Sequence, residues 1–190
     1  MKQKAHNKPI LIFLHIPKSG GTTLKTILWQ QVFPSRIYNL YERGNHKERI
    51  IQLNHLLKGK KKKITLIMGH VGYGIHSYLP GDYKYITMVR DPIKRVVSMY
   101  HHIQRDPMHQ FYSLVKNMTL SEYLTSGIDE ASTNSQVRFL SGVKLEQELN
   151  GEDDSIGYGT GTPEQMLENA KLNLRDNILN GIILVGGIEL

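Results

Sequence analysis

The sequence predicts an α/β fold in which a parallel β-sheet is flanked by helices on both faces. Several short apolar runs have the length and the β-branched content of strands that are buried on both sides. These runs lie at 10–14, 64–68, 85–89 and 182–185. Segments with the apolar spacing of amphipathic helices separate them. Strands that alternate with helices in this way pair in parallel, and the helices cover the sheet.

The first half of the chain alternates between the two types of element. The strand at 10–14 is followed by an amphipathic run at 22–32, which predicts a helix that Pro34 ends. A short strand is expected at 37–41. The apolar spacing of 47–57 then predicts a second helix that packs on the sheet.

A helix is expected to begin directly after the strand at 85–89. Asp91 and Pro92 suit its N-cap and its first position, because an aspartate oxygen can accept hydrogen bonds from the open N–H groups. The apolar stripe of this helix is expected to face the core, and it consists of Ile93, Val96, Val97 and Tyr100. Lys94 and Arg95 are expected to be solvated or ion-paired surface residues.

Three further helices are predicted in the remainder of the chain. Thr119 and Glu122 have the spacing of a capping box, which opens a short helix. A helix is expected at 133–140. Another is expected at 163–177, where Thr162 has the residue type of an N-cap.

The composition fits one domain and favours an anionic ligand. With 190 residues, the chain is long enough for a single domain with a substantial core, and 1–8 is expected to be a flexible tail. Its 24 Lys and Arg residues outnumber its 17 Asp and Glu residues, giving a net charge of +7. This excess suits a nucleotide, an acidic glycan or a nucleic acid. The basic run at 60–63 has no interleaved aromatic residues, so nucleic acid is not the expected partner.

The absence of cysteine limits the chemistry. Without cysteine the chain has no disulfide framework, no thiolate zinc site and no cysteine nucleophile. Such a composition fits the cytoplasm. No secretory signal and no transmembrane segment is recognisable in the sequence, and a cytoplasmic protein is therefore expected.

The stretch between the first strand and the first helix is suited to hold a phosphate or a similar oxyanion. Backbone N–H groups and a helix N-terminus converge at such a turn. Its lysine adds a positive charge, its glycines allow close approach of the backbone, and its threonines add hydroxyl donors. The stretch consists of Lys18, Ser19, Gly20, Gly21, Thr22 and Thr23. It is not a Walker A loop, because the lysine of that motif follows the second glycine. An ordinary strand-to-helix turn is the alternative.

Polar residues follow three of the predicted strands at their carboxyl ends. Besides the stretch at 18–23, these are Gly69–His70 and Arg90–Asp91. Ligands of open parallel sheets bind outside the carboxyl ends of the strands. The three groups are therefore expected to converge on one site.

Two segments together resemble the sulfotransferase family. They are His-Ile-Pro-Lys-Ser-Gly-Gly-Thr-Thr at 15–23 and Val-Arg-Asp-Pro-Ile-Lys-Arg-Val-Val-Ser-Met-Tyr at 89–100. The chain is most similar to the branch that contains heparan sulfate 2-O-sulfotransferase and its bacterial relatives. The resemblance also includes Gly69–His70, 134–142 and 170–189, and it so spans nearly the whole chain in family order.

The resemblance implies a P-loop NTPase-like three-layer fold that binds the sulfuryl donor 3′-phosphoadenosine 5′-phosphosulfate (PAPS) without a metal ion. By family analogy, the stretch at 18–23 would bind the 5′-phosphosulfate, and Arg90 and Ser98 would bind the 3′-phosphate. This agrees with the chemistry of the residues, since an arginine at a strand end can form paired hydrogen bonds with phosphate oxygens. The sulfuryl group would pass to an acceptor hydroxyl, which is expected to belong to a carbohydrate.

The resemblance also assigns roles at the reacting atoms. Lys18 would stabilise the charge that develops on the leaving phosphate, and His70 is the candidate base for the acceptor hydroxyl. A histidine held by hydrogen bonds at a turn is the alternative for His70. His15 and Arg138 are candidates for acceptor contacts. Packing at the strand end is the alternative for His15, and capping of a helix is the alternative for Arg138.

Functions of other classes remain open from the sequence. A P-loop kinase or hydrolase would need a Walker A lysine, which is absent. A degenerate sulfotransferase fold could bind a nucleotide or an anionic glycan without turnover. Family domains usually continue beyond the last predicted strand, so the resemblance implies that the C-terminal part of the usual domain is absent.

Overall fold

The computed structural model of the protein describes residues 8–41, 46–59, 63–128, 134–142 and 161–180. Within these ranges, four strands form one parallel sheet in the order β2–β3–β1–β4. The strands are β1 (Ile10–Leu14), β2 (Ile37–Leu40), β3 (Leu66–Gly69) and β4 (Tyr83–Thr87). The predicted parallel α/β fold is therefore confirmed. The predicted strand at 182–185 and the predicted tail apart from Lys8 lie outside the described residues.

Two strands end at positions that differ from the prediction, because their pairing with β1 sets their ends. Leu14, the last residue of β1, is opposite Gly69 in β3 and Thr87 in β4. β3 thus ends one residue later than predicted, and β4 ends two residues earlier. Arg90 consequently follows β4 after two intervening residues and not directly.

Helices occupy the segments between and after the strands. Those of the described residues are α1 (Gly21–Gln31), α2 (His46–Lys58), α3 (Pro92–Arg105), α4 (Tyr112–Val115), α5 (Leu120–Thr125), α6 (Ser135–Ser141) and α7 (Pro163–Asn180). The predictions for α1, α2, α6 and α7 are correct to within three residues at each end. Short 3-10 turns are formed by Pro34–Arg36 and Ile75–Tyr78. In the described part of the chain, no helix combines the length and the apolar character that crossing a membrane requires.

The sheet has helices on both faces, since alternate residues of a strand point to opposite sides. Ile12 and Leu14 of β1 belong to a core cluster that includes residues of α2, α6 and α7. Phe13 belongs to a second cluster, against which α1 packs. All three side chains are at most 1% exposed, and burial of each contributes about 1.5–3 kcal/mol. The three-layer arrangement is as predicted.

The helix ends show the predicted capping interactions. The backbone N–H of Lys94 donates a hydrogen bond of 2.8 Å to Oδ1 of Asp91 at the start of α3. Thr119 and Glu122 form both hydrogen bonds of a capping box at α5. α7 opens with the corresponding reciprocal pair. These local signals could be read from the sequence because each involves residues within one turn.

The buried face of α3 differs from the predicted stripe. Ile93 is 74% exposed, whereas Arg95 is only 2% exposed, so both predictions were wrong. Val96 and Val97 are half-buried, and Lys94 is exposed as expected. The helix packs on α4 and α5 through a cluster that includes Met99, Tyr100 and Ile103. Arg95 lies with residues of α5 and α6 around an apolar cavity, where its apolar stem can be enclosed.

Candidate functional site

The loop between β1 and α1 has the backbone of an anion-binding turn. Lys18 has a φ of 64° and Gly20 a φ of 83°, and left-handed residues in such turns aim successive N–H groups at one place. A lysine in this conformation costs about 1–3 kcal/mol, and such strain concentrates at functional sites. α1 begins at Gly21, and no side chain of the described residues caps it. Its first N–H groups are therefore placed for an anion.

The hydroxyl groups of this loop have different surroundings. Thr22 and Thr23 are exposed at the start of α1, where their hydroxyls can reach a ligand. Ser19 is only 1% exposed, and its hydroxyl donates a hydrogen bond of 3.3 Å to Oε1 of Gln136. A contribution of Ser19 to ligand binding would therefore come from its backbone N–H.

Gly21 is required by the ring of His15 and not only by a ligand. A Cβ atom at position 21 would lie 2.1 Å from Cδ2 and 2.3 Å from Nε2 of His15. His15 is 7% exposed and stacks on Phe13 with ring centroids 5.1 Å apart. The ring of His15 thus lies beneath the first turn of α1. This geometry favours packing, the alternative to an acceptor contact.

A histidine pair and a tyrosine lie together at the carboxyl ends of the strands. Nδ1 of His15 is 2.8 Å from the hydroxyl of Tyr41, and the rings of His15 and His70 are 4.7 Å apart. Burial, followed by the charges of His70 and Lys25, lowers the pKa of His15 to about 3. Burial also raises the pKa of Tyr41. His15 is therefore neutral near pH 7.

The hydrogen bond of His70 determines its tautomer. Nδ1 of His70 lies 2.8 Å from the backbone carbonyl oxygen of His15. A carbonyl oxygen only accepts, so Nδ1 carries the proton. In the neutral ring, Nε2 is then the basic nitrogen. This hydrogen bond is expected both for a structural histidine and for a general base, because a base also needs a defined tautomer. It therefore does not distinguish the two roles of His70.

Lys18 and Arg90 lie side by side at the other end of the loop. Nη1 of Arg90 donates a hydrogen bond of 3.3 Å to the carbonyl oxygen of Lys18. Nε of Arg90 is buried and has no hydrogen-bond partner among the described residues. Burial lowers the pKa of Lys18, and the charges of Arg90 and Arg105 lower it further. Anionic groups bound here would supply an acceptor for the unpaired Nε of Arg90 and reduce the repulsion between the two cations.

One face of α3 continues this positive region. Ser98, His102 and Arg105 follow one another at helical spacing and so share a face. Burial lowers the pKa of His102, and the charge of Lys18 is the next cause. Ser98 itself is half-buried. Neither His102 nor Arg105 was predicted as a site residue, although their helical spacing from Ser98 indicates that the three residues share a face.

α6 contains Arg138, which was predicted as a site residue, and Gln136, which was not. Arg138 is half-buried in this helix. Gln136, one position beyond Ser135 on α6, forms hydrogen bonds to the backbone of Arg90 and to Ser19. Gln136 lies in the segment 134–142 that resembles the family, but its residue type alone does not predict a contact with Arg90. Only the fold brings it to the loop.

Among the described residues there is no cluster that could hold a metal ion, and an apolar cavity lies beside α3. No group of three or more His, Asp or Glu side chains among them could hold a metal ion. A cavity of about 310 Å³ lies between α3, α5 and α6, and residues such as Val96, Leu120 and Val137 line it. Val96 lies on a different face of α3 from Ser98 and His102, but Gln136 also lines the cavity, which therefore borders the segment at Arg90.

Comparisons with known proteins gave matches at the levels of family, sequence and structure. The model of the sulfotransferase family matches residues 5–169. A protein-tyrosine sulfotransferase of Arabidopsis thaliana is 33% identical over 100 residues, which are 52% of this chain and 18% of the plant protein. A crystal structure of mouse sulfotransferase SULT7A1 complexed with PAP aligns with a TM-score of 0.47 and 19% identity, over 95% of this chain and 52% of that chain. The chain thus spans about half or less of the length of these proteins.

Proposed function

The chain belongs to the sulfotransferase family, and we propose that it transfers a sulfuryl group from PAPS to an acceptor hydroxyl. The 190 residues would act as one sulfotransferase domain. The observation that carries this proposal is the pair of cations at the loop. The guanidinium of Arg90 donates a hydrogen bond to the backbone carbonyl oxygen of Lys18, and neither cationic side chain has an acidic partner among the described residues.

The two anionic ends of PAPS match two parts of the site. The N–H groups of the turn and the N-terminus of α1, with Lys18, would bind the 5′-phosphosulfate. Arg90 and Ser98 would bind the 3′-phosphate, and the open Nε of Arg90 supports this assignment. Thr22 and Thr23 would add hydroxyl donors from the exposed start of α1.

The reaction would be an in-line transfer. The acceptor oxygen forms a bond to sulfur while the bond from sulfur to the bridging phosphate oxygen breaks. Lys18 stabilises the charge that develops on this leaving oxygen, and Nε2 of His70 takes the proton of the acceptor hydroxyl. Positioning and charge stabilisation carry most of the catalysis, as in phosphoryl transfer.

A carbohydrate is the proposed acceptor because the two main motifs resemble the branch that contains heparan sulfate 2-O-sulfotransferase. The plant relative is named as a protein-tyrosine sulfotransferase, which makes a tyrosyl peptide the second candidate. Arg138 is the better placed of the two proposed acceptor contacts, since His15 is enclosed by its neighbours. The cytoplasm remains the proposed location.

Calorimetric titration with 3′,5′-adenosine bisphosphate, AMP and ATP–Mg²⁺ tests the donor site. We expect selective binding of the bisphosphate, and a loss of about 10- to 100-fold in Lys18→Ala and in Arg90→Ala, because each removes a charged hydrogen bond. Lys94→Ala is the matched control, since Lys94 is an exposed cation near the start of α3. A preference for ATP–Mg²⁺ would exclude PAPS as the donor.

Turnover distinguishes an enzyme from a binding module. PAPS is incubated with a non-sulfated glycan of the heparan type and, separately, with a tyrosyl peptide. Sulfation of either one that is lost in His70→Ala supports the enzyme. Selective binding of the bisphosphate without transfer to either acceptor would favour the non-catalytic alternative.

A further inference from the structure

The side-chain amide of Gln136 forms hydrogen bonds with both the N–H and the carbonyl oxygen of the Arg90 backbone. The N–H of Arg90 donates a hydrogen bond of 2.8 Å to Oε1 of Gln136, and Nε2 of Gln136 donates one of 2.8 Å to the carbonyl oxygen of Arg90. The orientation of the amide is unambiguous, because an N–H only donates and a carbonyl only accepts. Position 90 lies beyond the end of β4 at Thr87. The side chain of Gln136 therefore makes the two backbone hydrogen bonds that a neighbouring strand would make within the sheet.

The same amide also binds the loop. Oε1 of Gln136 accepts a second hydrogen bond, of 3.3 Å, from the hydroxyl of Ser19. The guanidinium of Arg90 in turn donates to the carbonyl oxygen of Lys18 at 3.3 Å. Gln136, Arg90 and the pair Lys18–Ser19 thus form a closed set of contacts. It joins the loop after β1 to the segment after β4.

α6 is held firmly enough to serve as an anchor. Phe139 and Leu140 of this helix are in the main core cluster. The carbonyl oxygen of Phe139 accepts a hydrogen bond of 2.8 Å from the N–H of Tyr73, and that of Leu140 accepts one of 2.8 Å from Nδ2 of Asn173. The position of Gln136 is therefore set by the core and by α7.

We infer that Gln136 is a positioning residue that sets the spacing between the Lys18 loop and Arg90. This inference rests on the proposed function, in which these two groups bind opposite ends of the donor. Gln136 itself would not touch the donor. A donor with two anionic ends gains most affinity when both binding groups are already held at the right distance, because a preorganised site does not have to be ordered on binding.

The test compares ligands with and without the second anionic end. In Gln136→Met, which keeps the side-chain length but removes the hydrogen bonds, we expect affinity for 3′,5′-adenosine bisphosphate to fall about tenfold or more relative to AMP. Asn173→Leu is the control, because it removes another amide contact to α6 without affecting Arg90. It should lower thermal stability and leave the ratio of the two affinities unchanged.

A milder variant tests the inference if Gln136→Met does not fold. A measurement without nucleotide tests it if the proposed function is wrong. Ser19→Ala removes only one of the contacts of Gln136, and it should reduce the affinity ratio less. Hydrogen exchange around Arg90, measured without any nucleotide, should become faster in Gln136→Met and not in Asn173→Leu. Unchanged exchange there would overturn the inference. An unchanged ratio in Gln136→Met would do the same.

The two proposals fail in different ways. If the wild-type chain does not prefer the bisphosphate to AMP, the proposed donor site is wrong, and so is the role of Gln136 in donor binding. Hydrogen exchange still decides in that case whether Gln136 holds the segment at Arg90. If the wild-type chain prefers the bisphosphate and Gln136→Met does so equally, only the positioning role is wrong.

Discussion

The imidazole of His70 donates a hydrogen bond from Nδ1 to the backbone carbonyl oxygen of His15, over 2.8 Å. The N–H of His15 in turn donates to the carbonyl oxygen of Gly69 at 2.9 Å. The acceptor of His70 is therefore part of the pairing between the ends of β1 and β3. A rigid backbone group holds the ring in one tautomer, with Nε2 as its basic nitrogen.

Replacement of His70 by alanine should reduce turnover more than donor binding. A general base contributes about 100- to 10,000-fold to the rate, so kcat for sulfation of the responsive acceptor should fall by this order. The dissociation constant of 3′,5′-adenosine bisphosphate should change less than about threefold, since His70 would contact the acceptor side. Steady-state kinetics and calorimetry on the same preparation measure both. Equal losses in both quantities would argue for a structural histidine.

Replacement of Gly21 by alanine should destabilise the protein through contact with His15. The new Cβ would lie 2.1 Å from Cδ2 of the ring, and such overpacking typically costs about 1–3 kcal/mol. Alanine otherwise favours a helix over glycine by roughly 1 kcal/mol. In a His15→Ala background, the same change should therefore be neutral or stabilising. Denaturant unfolding of the four proteins of this cycle measures the coupling, and a cost that is independent of His15 would refute the explanation.

The free energy of unfolding should decrease as the pH is lowered, and part of this decrease should come from His15. Burial lowers its pKa to about 3 from 6.5, so the unfolded chain binds a proton between these values that the folded protein does not. The contribution of His15 is complete above pH 6.5 and is lost as the pH falls toward 3. In this range the free energy of unfolding changes with pH by up to about 1.4 kcal/mol per pH unit because of His15.

A variant isolates this contribution from that of the carboxylates. His15→Gln retains a polar side chain but does not titrate in this range. Urea unfolding at pH 7.5, 6.0 and 5.0 should show a steeper loss of stability for the wild-type protein than for this variant. Parallel curves would mean that His15 is accessible to protons in the folded state.

Arg95→Ala should be far more destabilising than Lys94→Ala. Arg95 is 2% exposed, so its removal empties a packed position and should lower the free energy of unfolding by about 2–4 kcal/mol. Lys94 is its exposed neighbour, and a surface change of this kind stays within about 0.5 kcal/mol. Chemical denaturation of both variants measures the difference. A small effect of Arg95→Ala would show that the side chain is dispensable for packing.

The elements of this fold could be predicted because their signals are local. Apolar runs, helix caps and the turn at 18–23 each depend on residues within a few positions of one another. The face of α3 could not be predicted in the same way. Ile93 and Arg95 have the residue types of a buried and an exposed position, yet Ile93 is exposed in the folded protein and Arg95 is enclosed beside α5 and α6.

The parallel α/β fold, the strand-to-helix turn at 18–23 and the family could be predicted from the sequence, because strand-to-helix order and a compact motif are local properties of the chain. The tertiary structure decided which side chains meet. It placed the ring of His15 under Gly21, tied His70 to the end of β1, and brought Gln136 to Arg90 across 46 positions of sequence. Such contacts depend on the register of strands and on the packing of helices, and no local pattern encodes them.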